Sequence, residues 1–146
     1  MAANQDPIFC GTPDIQSGGG AVIGPTANTN QDGTGTVYSV WQADATNGGF
    51  CQKLMAKSVG SPAATAFRVY ISSITGTFTG NAAANTWLIK DVSLPTTTLS
   101  QTAGSLDVEV PINLPIPPGY RVCCSFGTST GAAGTGWMVT GVGGKY

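Results

Sequence analysis

Apolar and polar positions alternate in short runs along most of the chain, which is the two-residue period of a half-buried strand. Residues 65–74 show it most cleanly. Phe67, Val69 and Ile71 take one face, and Arg68, Tyr70 and Ser72 the other. Leu106, Val108, Val110 and Ile112 alternate with Asp107, Glu109 and Pro111, and Tyr120, Val122, Cys124 and Phe126 alternate with Arg121, Cys123 and Ser125. Further β-like runs cover residues 21–24, 36–42, 50–59, 86–94 and 137–142. Turn signals punctuate them. Thr46-Asn47-Gly48-Gly49 sits between two apolar runs, as a hairpin requires. Gly60-Ser61-Pro62 closes another run, and Pro115-Ile116-Pro117-Pro118-Gly119 is a rigid corner. Pro111 has no N–H for a ladder, which marks its run as an edge strand or a bulge. No helical period persists. The pattern predicts an all-β fold: a single β-sandwich, jelly-roll-like, with about eight antiparallel strands.

Residues 1–20 read differently. Pro7 and Pro13 oppose regular structure, and Ser17-Gly18-Gly19-Gly20 is a flexible joint. The expected organisation is an extended N-terminal arm over 1–20 and a β-sandwich domain over 21–146. Ile8 and Phe9 are large apolar residues in that arm and are the expected arm contacts with a neighbouring subunit or particle.

Composition sharpens the picture. Only 9% of the 146 residues are charged, against about 25% in an ordinary soluble domain. Few charges remain to keep a lone subunit in solution, which suits a surface covered by partners. Six cations are scattered along the chain and the net charge is −1. Nucleic-acid phosphates would find no basic cluster, and no polybasic or amphipathic membrane segment appears. The N-terminus lacks the basic start and apolar run of a secretory signal, so synthesis in a cytoplasm is expected. Free thiols are then the default for Cys10, Cys51, Cys123 and Cys124. Cys124 shares the apolar face of its run, whereas Cys123 faces the other way and Cys10 lies in the arm. If a disulfide forms, Cys10 and Cys123 are the candidates, with a bridge from Cys10 to a neighbour the most useful.

Candidate chemistry is sparse. The chain has no His, so the commonest general base and metal ligand is missing and the usual Ser-His-Asp and Cys-His arrangements are excluded. Asp107 and Glu109 share one strand face and are the only closely spaced carboxylates. An acid/base pair could use that geometry, but a solvated outer face is the better reading. Asn28-Thr29-Asn30-Gln31-Asp32-Gly33 imitates the start of a calcium loop. It lacks the first Asp and the closing Glu, so a turn feeding the next strand is the better reading. Trp41, Trp87 and Trp137 could stack on sugar rings in a lectin-like site, but each lies in or beside a strand run, where core or interface packing is the commoner job and the expected one. No cofactor, metal site or enzymatic activity is expected.

The chain resembles small all-β structural proteins of tailed bacteriophages, including capsid decoration (cement) proteins. The likeness is carried by Asp32-Gly-Thr-Gly-Thr36, Phe67-Arg-Val-Tyr-Ile71 and Val92-Ser-Leu-Pro-Thr-Thr-Thr-Leu-Ser100, by the run from Val110 to Tyr120, and by the closing run from Gly136 to Tyr146. It implies a jelly-roll or related sandwich that forms a homotrimer on the capsid surface. There it clamps the major capsid protein through subunit–subunit and subunit–shell contacts, with no catalytic residues. The alternative is a receptor- or carbohydrate-binding module of a tail fibre or baseplate. Clustered exposed Trp and Tyr would favour that alternative. Aromatics buried in the core would favour decoration.

Overall fold

A computed structural model of the chain describes residues 10–18 and 22–146. Its strands are β1 (Thr12–Ser17), β2 (Tyr38–Gln42), β3 (Gly49–Val59), β4 (Thr65–Ser72), β5 (Thr86–Leu94), β6 (Asp107–Ile116), β7 (Arg121–Phe126) and β8 (Gly136–Lys145). They form two four-stranded antiparallel sheets packed as a sandwich, sheet A in the order β1-β8-β3-β6 and sheet B in the order β2-β7-β4-β5. The pairs β1·β8, β2·β7, β3·β6 and β4·β5 are nested, as if one long antiparallel ribbon had been folded across itself. That is the jelly-roll arrangement.

One expectation at the N-terminus is corrected. The sandwich begins at Thr12, inside the segment read as an arm. β1 pairs with β8 from Thr12↔Lys145 to Ser17↔Thr140. The proline that argued for an irregular arm is tolerated because β1 is an edge strand, where an absent N–H can face outward. In the run expected over 21–24, the described residues 22–24 form no strand, and Ile23 makes a single bridge to Trp137. The expected contacts Ile8 and Phe9 lie outside the described residues.

The core sits between the sheets. Trp41, Trp137, Phe67, Phe126, Leu54, Val110, Ile116 and Val122 are essentially solvent-free, with Phe67 and Phe126 ring centroids 5.4 Å apart. Pro111 meets both of its expectations. β6 is an edge strand, and its register against β3 slips between Cys51 and Lys53. Asn113 takes up the bulge with φ 51°, a left-handed conformation that Asn tolerates better than most residues.

The outward face of β4 is not wet, as alternation alone predicts, but buried. Residues 25–36 cross over it as a strap held by Asn28. The Asn28 amide donates to the Thr34 and Thr36 carbonyls at 2.8 and 2.9 Å. Its Oδ1 accepts from Asn30 N at 3.0 Å. Beneath the strap Arg68 Nη1 donates to the Asn28 carbonyl at 2.9 Å. Tyr70 Oη donates to the Asn30 carbonyl and lies 3.1 Å from Ser125 Oγ. Asn28 is 4% exposed, so its replacement leaves buried carbonyls without donors. Asn28→Ala is expected to lower unfolding free energy by about 3 kcal/mol, read as a shift in urea midpoint. A shift below a third of that would mean that the strap is held elsewhere.

Candidate functional site

The least satisfied surface is the outward face of sheet A. Cross-strand register fixes which side chains share it, because directly opposed residues point the same way. Lys57 opposes Met138 and Asp107, Met55 opposes Thr140 and Glu109, and Lys53 opposes Val142, which opposes Ile15. Ile15 is 71% exposed, Met55 42% and Met138 41%. A shallow hollow of about 380 Å³ opens here, lined by Met55, Lys57, Asp107, Glu109, Met138 and Thr140. The sequence held a signal for this face. Met55 and Met138 are apolar residues at polar-phase positions, out of step with Leu54 and Ala56 and with Trp137 and Val139. Methionine's unbranched, polarisable side chain adapts to varied partner shapes.

Asp107 and Glu109 do share this face. Each is tied to a lysine on β3, Asp107 Oδ1 to Lys57 Nζ at 2.8 Å and Glu109 Oε1 to Lys53 Nζ at 2.6 Å. Both carboxylates are largely exposed on the edge strand. Each pair cancels its own charge on the face. The calcium-like run is likewise turned to internal use. Asn28 serves the strap, and Asp32 accepts from Thr34 Oγ1 and Thr34 N, bonds that hold its carboxyl below the usual carboxylate range. Among the described residues no three His, Cys, Asp or Glu side chains gather as metal ligands, and no helix is long and apolar enough to cross a membrane.

All four thiols are free, so the candidate pair Cys10 and Cys123 is not joined within the chain. Cys10 is exposed and packs on Gly144, which has no side chain to hold it off. Cys124 faces the core as expected. Cys123, on the opposite face of β7, is also fully buried. Burial pushes its thiol up to about 12, with the nearby Asn81 amide and Arg121 opposing. Alternation placed Cys123 on the outward face correctly but did not show that this face is covered. A disulfide through Cys123 would require opening the cover.

The tryptophans divide. Trp41 and Trp137 are core residues, as packing predicted. Trp87 is not, for half of its surface is open. The class defined by this fold and surface is a jelly-roll sandwich with one charge-neutral, partly apolar outer sheet face. Compared with known proteins, the chain matches no family model, no curated protein and no solved structure.

Proposed function

We propose that this chain is a structural protein of a bacteriophage virion: a homotrimer, made in the host cytoplasm, that decorates the capsid surface and stabilises the shell. It acts through subunit–subunit and subunit–shell contacts and not as an enzyme. The observation that carries the reading is the outward face of sheet A, where Ile15, Met55 and Met138 stand exposed around internally neutralised ion pairs. The scarcity of charge supports it, and it is the role that the resemblance described for the sequence implies. On this reading the face meets a second copy of the chain. Its apolar residues gain by leaving water, and its paired charges leave no net charge to be matched across the contact.

The test has two parts. Light scattering of the purified protein is expected to give three chain masses, and the double variant Met55→Asp/Met138→Asp is expected to run as a monomer. Density-gradient fractions of virions from the phage that encodes the chain are then probed for it. Co-migration with capsids stripped of tails is the expected result. Recovery with tails alone would overturn decoration in favour of a receptor-binding role, and absence from particles would overturn both.

A further inference from the structure

Trp87 is the large side chain that the fold leaves unexplained. It opens edge strand β5 with 50% of its surface exposed, although a buried aromatic is worth more to the core than any other side chain. Its ring lies almost parallel to that of Tyr120, with planes 11° apart and centroids 6.5 Å apart. That is the long end of the offset-stacked range, so neither ring closes off the other. Tyr120 itself is only partly buried.

Both rings are held from behind. Tyr120 N donates to the Pro117 carbonyl, and the Tyr120 carbonyl accepts from Ala43 N. The preceding Gly119 turns at φ 73° against Thr75, and the Gln42 amide ties the Gly119 and Thr75 carbonyls together. On the other side, Thr86 is buried, and the Ala83–Asn85 turn bonds back to Ser73. The backbone that carries the aromatic pair is therefore fixed, and a ligand would not have to bear the entropy of ordering it.

Flat exposed aromatics accept the faces of bases, of sugars or of partner side chains. Charge separates the first two. Single-stranded nucleic acid needs a basic groove that tracks its backbone. Of the cations on sheet B, Arg68 is buried beneath the strap. Arg121 is committed to the Ile74 and Gly76 carbonyls, to Ser39 Oγ and to the Phe78 ring. That leaves Lys90, beside Asp91. A neutral sugar asks for none of this, since its C–H face packs on an indole while its hydroxyls stay in water.

We propose that Trp87 and Tyr120 form a stacking subsite for neutral carbohydrate, a glycan-binding activity separate from the sheet A face. The affinity of one such site is low. Several copies on one assembly raise it through effective concentration.

Trp41 and Trp137 are inaccessible, so an external ligand perturbs one indole only. The isolated protein is titrated with a panel of neutral oligosaccharides, built from hexoses and N-acetylhexosamines, while the Trp87 indole N–H is followed by NMR. The expected result is a saturable shift with at least one member of the panel; read on the Tyr120 ring, the shift is lost in Trp87→Ala and retained in Trp87→Phe. Leu88→Ala, the exposed neighbour on the opposite strand face, is the control and is expected to bind as the parent does. No shift with any sugar at 50-fold excess over a millimolar dissociation constant, on the order of the weakest useful site, would overturn the proposal. So would a shift of the Tyr120 ring that persists in Trp87→Ala. A failed titration leaves capsid decoration untouched, because the mixture contains no particles.

Discussion

Gly141→Ala is expected to lower the stability of this protein by about 3 kcal/mol, the upper end of the usual cost of overpacking a core. Gly141 lies in the middle of β8, and a methyl group built there would stand 2.6 Å from Trp41 Cβ and 3.0 Å from Cγ and Cδ1. Those atoms belong to the root of the side chain, so a change of rotamer does not clear the clash. Trp41 is fully buried and forms part of the contact between the sheets. To admit the methyl group, the whole indole or one of the strands must move. Gly141→Val is expected to abolish folding. Gly104→Ala is the control, because nothing lies within 4 Å of that position and its backbone is not left-handed. That substitution is expected to be neutral or slightly stabilising through loss of unfolded-state entropy. Urea midpoints of the three variants decide the matter. A Gly141→Ala midpoint equal to that of Gly104→Ala would mean that Trp41 does not occupy the position described.

Alkaline pH is expected to unfold the protein through its buried thiols. Burial pushes Cys51 and Cys123 up to about 12 from 9.0, and Cys124 well above 9.0. The sign follows from where the protons go. Below pH 9 folded and unfolded chains both keep these protons, and stability is unaffected. As pH rises toward 12 the unfolded chain releases them while the folded chain cannot, so stability falls. Each thiol contributes at most about 1.4 kcal/mol per pH unit. Between pH 9 and pH 11 Cys51 and Cys123 together remove about 5 kcal/mol, with Cys124 acting in the same direction, against a typical total of about 5–15 kcal/mol. Urea midpoints from pH 8 to pH 11 in excess reductant are expected to fall steeply above pH 9, with a shallower slope in Cys124→Ala. At pH 8 an aromatic disulfide reagent is expected to titrate one thiol, Cys10, in the native protein and four in urea. A flat profile to pH 11, or more than one reactive native thiol, would place the buried cysteines in contact with water.

The same burial explains which parts of the molecule were legible in its sequence. Alternation identified the runs that became β2 to β8, because each strand keeps one face against the other sheet and a one-residue slip would expose that entire face. Pro111 and the Pro115–Gly119 corner were legible because a missing N–H and a fixed φ act locally. Three features were not. β1 carries Ile15 outward at 71% exposure and two polar residues near its centre, so its pattern has no apolar phase to detect. Its strandhood comes from the edge that β8 offers it. The burial of Arg68, Tyr70 and Cys123 also escaped the pattern, because their cover comes from residues 25–36 and from the Asn81 loop, remote in sequence. Trp87 read as one more packing aromatic, and only its place at the start of edge strand β5 leaves it in the open.

By itself, the sequence determined the all-β class, the sandwich, the approximate strand set and the apolar face of nearly every strand. These depend on the period of the backbone and on local turn chemistry, which each residue carries with it. Only the tertiary structure decided the nested strand order, the recruitment of Thr12–Ser17 as a strand, the strap over sheet B and the difference between Trp41 and Trp87. Those outcomes depend on which distant backbone edges and faces meet, and a side chain's burial is a property of what covers it rather than of the residue itself.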